Sequence, residues 1–98
     1  MIDESGVMVA GIDCLLGGGW IEIISLWVSE YQRKKRVGEQ LLLKAEKTAE
    51  EKGCHSSYLY TYSFQAPGFY EKNGYKVFGV LENYYKSHSK IYLKKSLV

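Results

Sequence analysis

Val28-Ser29-Glu30-Tyr31-Gln32-Arg33-Lys34-Lys35-Arg36-Val37-Gly38-Glu39-Gln40-Leu41-Leu42 joins an apolar run to an amphipathic one, and the rest of the chain is read outward from it. Four consecutive cations, Arg33 to Arg36, stand just before a segment of helical period. The first turn of a helix has backbone N–H groups without partners inside the helix, and the peptide dipoles add positive charge there. Cations and a helix start together favour an anion, with phosphate the natural candidate. On charge alone the same run also reads as a solvated basic turn. The strand before it and Gly38 within it favour the anion site.

On the N-terminal side, residues 20–28 are apolar at both alternate sets of positions, Ile21, Ile23 and Trp27 against Ile24, Leu26 and Val28. That pattern predicts a strand covered on both faces and interior to its sheet. Residues 6–15 are β-rich, and Gly17-Gly18-Gly19 punctuates them, which predicts an antiparallel hairpin. On the C-terminal side, Val37, Leu41, Ala45 and Ala49 step by four with Leu42 beside them, while Glu39, Lys44, Glu46, Lys47, Glu50 and Glu51 fill the other side. The spacing predicts an amphipathic helix over 37–52, closed by Gly53 as a left-handed cap. A strand over 57–62 follows. Strand, helix and strand make a βαβ unit, so the 20–28 and 57–62 strands should be parallel with a right-handed crossover. A short helix over about 66–73 starts with Pro67 in its first turn and stops at Gly74. A strand over 75–81, a polar Tyr-rich loop over 82–89 and a closing strand over 90–94 complete a mixed α/β fold of order β-β-α-β-α-β-β.

A chain of 98 residues has room for one domain, taken here as 1–98, with no internal repeat or linker. At 46% hydrophobic and 24% charged residues with one proline, the composition is that of a soluble globular protein. Thirteen basic against eleven acidic residues leave a net charge of +2, too little to make nucleic acid or an anionic membrane the expected partner. Cys14 and Cys54 are far apart, form no CxxC and have no histidine at ligand spacing, so neither a disulfide framework nor a metal site is indicated. The absence of a long apolar run or a basic leader predicts a cytoplasmic protein.

Two stretches resemble one family. Arg33-Lys34-Lys35-Arg36-Val37-Gly38 occupies the cofactor loop of the GNAT superfamily of acyl-CoA-dependent N-acyltransferases, which reads Arg or Gln, two variable residues, Gly, one variable residue, then Gly or Ala. Leu26-Trp27-Val28 before it and Gln40-Leu41-Leu42 after it keep the register. Independently, Ser63-Phe64-Gln65-Ala66-Pro67-Gly68-Phe69-Tyr70-Glu71-Lys72-Asn73-Gly74-Tyr75 resembles the family's Asn-x-x-Ala-x-x-x-Tyr-x-x-x-Gly-aromatic signature. The resemblance runs from about Gly6 to Lys94 and implies a GNAT-like fold without the family's first strand, most of its second and its first two helices. Arg36 stands where the family normally has glycine, so its side chain either obstructs the close approach to the phosphates or supplies an extra cation, and Ser63 stands where the family has asparagine.

The resemblance implies acetyl-CoA as co-substrate, with no metal. Arg33, Lys34, Arg36 and the amides of Val37, Gly38, Glu39 and Gln40 would hold its pyrophosphate. Leu26, Trp27 and Val28 would pair with the pantetheine arm, with Ser63 and Ala66 completing the cofactor site. It further implies a bulge that opens the central strand, and an oxyanion donor among the main-chain N–H groups near Trp27 or Val28. Tyr70 matches the family's general acid; its bland alternative is a half-buried helix tyrosine with a hydrogen-bonded hydroxyl. Glu22 is the candidate base, acting directly or through water, against a plain strand residue paired with a lysine. Glu82 and His88 are further candidates.

The leading expectation is an N-acetyltransferase that moves an acetyl group directly from acetyl-CoA to a small-molecule or peptide amine. The alternative is a shortened, non-catalytic CoA-binding or dimerisation module. A nucleic-acid patch at 33–36 with Tyr31 is a third reading, opposed by the near-neutral charge. Tyr60, Tyr62, Phe64, Tyr84 and Tyr85 are candidates for an aromatic acceptor pocket. Apolar side chains of the 7–15 and 20–28 strands invite pairing, so a homodimer is expected.

Overall fold

A computed structural model describes residues 10–29, 36–65 and 67–98. Gly18 and Gly19 both take positive φ, 61° and 85°, the conformation that reverses a hairpin in two residues with a twist matched to its strands. They join β1 (Ala10–Gly17) to β2 (Trp20–Val28). Then come α1 (Val37–Glu51), β3 (Ser56–Tyr62), α2 (Pro67–Lys72), β4 (Lys76–Tyr84) and β5 (His88–Ser96). The five strands form one mixed sheet in the order β1-β2-β3-β5-β4, with β2 and β3 parallel and the other pairs antiparallel. The βαβ reading holds. Gly53, at φ 92°, follows the last turn of α1, and the Cys54 N–H returns to the Ala49 carbonyl at 2.9 Å to close it.

Both helices contribute to one apolar layer. Ile21, Ile23, Leu59 and Leu93 from the sheet meet Leu42 and Ala49 of α1, and Phe69 and Tyr70 of α2 pack at the edge of this cluster. The inward stripe of α1 also carries Glu46, which the sequence puts among the polar residues. Residues 42, 46 and 49 lie on one helical face, so Glu46 is directed at the sheet and needs partners. Lys95 Nζ donates to its Oε1 at 2.8 Å and the Tyr75 hydroxyl to its Oε2 at 2.8 Å. Since the Tyr75 proton goes to the carboxylate, the Ser57 hydroxyl donates to Tyr75 Oη across 2.7 Å. The network ties α1 to β3 and β5.

Three expectations need correction. The 20–28 strand is not covered on both faces: Ile24 and Trp27 are 44% and 43% exposed, because the helices lie on the face that carries Ile21 and Ile23. The 82–89 loop is shorter than its polar composition suggests, since β4 reaches Tyr84 and β5 begins at His88, with Tyr84 opposite His88. Cross-strand pairing there outweighs local turn propensity, although Asn83, Tyr85 and Lys86 keep positive φ. Finally, the first strand ends at Gly17 rather than Leu15; its expected start at residues 6–9 lies outside the described residues.

Burial pushes the Tyr75 hydroxyl above its ordinary value of 10.0, with the Glu46 carboxylate adding to the shift and the Ser57 hydrogen bond opposing it. A raised folded value means this contribution to stability is intact below pH 10 and is lost as pH rises beyond it. Tyr75→Phe leaves the Glu46 carboxylate and the Ser57 hydroxyl each one partner short, an expected loss of about 1–3 kcal/mol in urea unfolding at pH 7. The difference between variant and native protein should shrink as the pH is raised above 10.

Candidate functional site

The site begins with one extra residue. Asp13 of β1 faces Ser25, but the next residue, Cys14, faces Ile23, so β2 carries Ile24 as a bulge. The alternation of β2 is reset there. Ile21 and Ile23 point at the helices before it, Leu26 does so after it, and Trp27 turns to the opposite face. Opposite Trp27 stands Gly11, where a Cβ would lie 2.7 Å from the indole Nε1, so only a residue without a side chain lets the indole lie against β1.

β3 does not follow. It pairs with β2 from Trp20–Ser56 to Ile23–Leu59, and among the described residues none of β2 stands opposite Tyr60 to Tyr62. Beyond that point a groove of about 820 Å³ opens, walled by Leu26, Trp27 and Val28 on one side and Thr61, Phe64 and Gln65 on the other. The first turn of α1 closes one end through Arg36, Gly38 and Glu39, and α2 lines it with Phe69 and Tyr70. Gly38 permits this closeness: a Cβ there would sit 3.3 Å from Val28 Cγ2 and 3.6 Å from Phe69 Cζ. Gln65 is fixed by Thr61, whose hydroxyl donates to its Oε1 at 2.9 Å.

Arg36 adopts φ 57° and ψ 26°, the left-handed conformation that glycine takes without a steric penalty. The backbone reason for glycine at this position of the family pattern is therefore present, and the arginine meets it at a cost of about 1–2 kcal/mol. Its exposed side chain lies at the rim of the groove instead of filling the gap between β2 and β3. The Arg36 carbonyl accepts the Gln40 N–H at 3.0 Å, and no side chain caps the helix. The wall carries Arg36 and Lys72 against Glu39, a local excess of positive charge. Burial holds the Tyr70 hydroxyl above its ordinary range, so it stays protonated at neutral pH.

The groove thus gathers Leu26, Trp27, Val28, Arg36, Gly38, Glu39 and Tyr70. Val37 is buried beneath the wall, and Gln40 is exposed on the next turn. The Ser63 hydroxyl accepts the Ser89 N–H at 2.9 Å, which ties the end of β3 to β5, and Ser63 is exposed there. Glu22 lies opposite Tyr58 in the β2–β3 ladder, so its partner is a tyrosine and not a lysine. Burial raises the Tyr58 hydroxyl, helped by the charge of Glu22 and a hydrogen bond to it. Arg33, Lys34 and Ala66 lie outside the described residues. Sequence reasoning missed Thr61, Gln65 and Phe69. Alternation from Ser57 and Leu59 would have put Thr61 on the helix-facing side.

The family model for "Acetyltransferase (GNAT) family" matches residues 1–75. The chain belongs to this family. It is 35% identical over 82 residues to blasticidin-S acetyltransferase from Streptomyces morookaense, covering 83% of this chain and 60% of that protein. Among solved structures, an acetyltransferase from Bacillus cereus ATCC 14579 superposes with TM-score 0.93 at 38% identity over 98% of this chain and 69% of its own. The PaiA N-acetyltransferase from Thermoplasma acidophilum, in complex with coenzyme A, gives TM-score 0.81 at 26% identity over 96% of this chain and 57% of its own. The GNAT fold is therefore that of the described chain. No cluster of three or more metal-ligating side chains, and no helix long and apolar enough to cross a membrane, occurs among the described residues.

The left-handed Arg36 makes a two-sided prediction about stability. Arg36→Gly should leave the unfolding midpoint level or raise it, whereas Arg36→Val, with a β-branched side chain at positive φ, should cost about 1–2 kcal/mol or more. Parallel thermal melts check both.

Proposed function

We propose that this chain, acting as one GNAT-like domain over 1–98, transfers an acetyl group from acetyl-CoA to a primary amine in a ternary complex without a covalent acyl-enzyme. The observation that carries the reading is the parting of β2 from β3 after Ile23 and Leu59, on a groove lined by the start of α1 and by Tyr70. The chemistry needs an anion site, an extended slot and a proton donor, and one groove offers all three.

In this reading the amides of Gly38 and Glu39 with Arg36, and Arg33 and Lys34 beside them, hold the pyrophosphate of acetyl-CoA, while the Gln40 N–H, expected to join them, is taken by the Arg36 carbonyl. The pantetheine arm runs along the splayed part of β2 at Leu26 and Trp27, with Val28 lining the slot. Main-chain N–H near Trp27 stabilises the oxyanion that forms when the amine attacks the thioester carbonyl. Tyr70 gives its proton to the departing thiolate, and its raised pKa supports the acid role by keeping the proton in place until it is needed. Glu22, on the opposite face beside Tyr58, receives the amine's proton through water.

The acceptor is a small-molecule or peptide amine. The named acceptors of relatives such as blasticidin-S acetyltransferase and the spermidine N(1)-acetyltransferase of Thermoplasma acidophilum support that class. Nucleic acid and membrane are not partners in this reading, and the protein is a cytoplasmic homodimer. The exposure of Leu15, Leu16, Ile24 and Trp27, between 43% and 64%, supports pairing with a second copy.

Acetyl-CoA at 100 times its dissociation constant should stabilise the protein by about 2.7 kcal/mol, read as a rise in melting temperature. Tyr70→Phe should keep that rise and lose about 100-fold or more in kcat. No thermal response to CoA or acetyl-CoA at millimolar concentration removes the reading.

A further inference from the structure

The face of the sheet turned away from the helices holds a cation already. Lys90 is opposite Tyr62 in the β3–β5 ladder and Tyr92 is opposite Tyr60, so all four side chains share that face. The Lys90 ammonium lies 4.1 Å above the centre of the Tyr60 ring, 5.4 Å from that of Tyr92 and 5.5 Å from that of Tyr84. Three electron-rich rings around one ammonium form an aromatic box, the arrangement that recognises alkylammonium ions. A hydrogen bond with Tyr92 is the largest of the effects that raise the Lys90 pKa, so the group stays charged. Lys94, over the Phe78 ring at 5.5 Å, is a second ammonium held by a ring of the sheet.

The box borders the groove. Phe64, which lines the groove, stacks on Tyr62 at 5.3 Å between centroids and 3° between planes. Tyr62 in turn stacks on Tyr84 at 5.6 Å and 19°, and Tyr84 is one wall of the box. A continuous row of ring faces thus leads from the groove to the site that Lys90 occupies.

We propose that the box is a second-cation subsite for the acceptor, and that Lys90 is a displaceable occupant standing in for the ammonium of an amine that carries at least two positive charges. The inference rests on the acetyl-transfer reading for its function, while the binding site stands on the box alone. One ammonium of a diamine or polyamine takes the place of Lys90 among Tyr60, Tyr84 and Tyr92, and another nitrogen reaches the groove along Tyr62 and Phe64. Because Lys90 is tethered, it competes at a high effective concentration, and removing it strengthens binding of the acceptor.

Opposite signs at two residues of one box give the test. Calorimetric titration of the full chain with spermidine, with n-butylamine as monocation control, should show Lys90→Met binding spermidine ~3- to 10-fold tighter and Tyr60→Leu weaker by a similar factor, the size expected of cation–π contacts. Butylamine should hardly respond. Acetylation assays should show the same order in the KM for spermidine, with the CoA-induced thermal shift retained in both variants. If both variants shift spermidine binding in the same direction or not at all, or if neither native protein nor Lys90→Met binds it, the inference is overturned. Loss of the CoA response in the native protein, with the opposite-signed spermidine effects intact, would instead remove the acetyl-transfer reading and leave the box standing.

Discussion

Two parallel strands keep a common ladder only while their residues advance in step, and β2 falls out of step with β3 at Ile24. β1 absorbs the extra residue because the antiparallel ladder resumes at Asp13 and Ser25 and continues to Ala10 and Val28. β3 continues instead toward β5, with which it pairs from Ser56 through to Tyr62. The sheet is therefore continuous on the β1 side of β2 and open on the β3 side. The groove, the access of α1 to it and the separation of Trp27 from Tyr60 all follow from that asymmetry.

The opening is useful only if the helix beside it is held in register. Glu46 supplies this at its own desolvation cost, offset by Lys95 and Tyr75, and the network reaches Ser57 on β3, within the stretch that still pairs with β2. With the middle of α1 anchored there, its first turn comes against β2 and α2, where Gly38 leaves no side chain to hold them apart. The left-handed Arg36 then turns the chain into the helix. Strain and close packing are concentrated where an anion would meet the amides, which is where preorganisation has most effect.

The two faces of the sheet divide the chemistry. The helix-facing side is an apolar core closed by one buried carboxylate, whereas the other presents tyrosines and lysines whose rings and ammonium groups already satisfy one another. The groove passes between β2 and β3, so it is bordered by both faces. Phe64 and Tyr62 form the link between them.

Much of this was legible in the chain itself. The period of four along α1, the glycines at 18, 19 and 53, and the alternation of β3 are properties of neighbouring residues, and they specified the elements and the βαβ order. The loop at 33–38 and the 63–75 stretch pointed to the family for the same reason, since each motif is contiguous. What folding alone decided involves residues far apart. Glu46 looks like an ordinary solvent-facing glutamate until Lys95 and Tyr75 arrive, Ser63 meets the Ser89 N–H from β5, and Lys90 enters a box whose walls come from β3, β4 and β5. The bulge belongs to the same class, because an extra residue is defined only against the strand it pairs with. Local period fixes which way a side chain points along its own element; which partner meets it depends on how distant elements pack, and that information exists only in three dimensions.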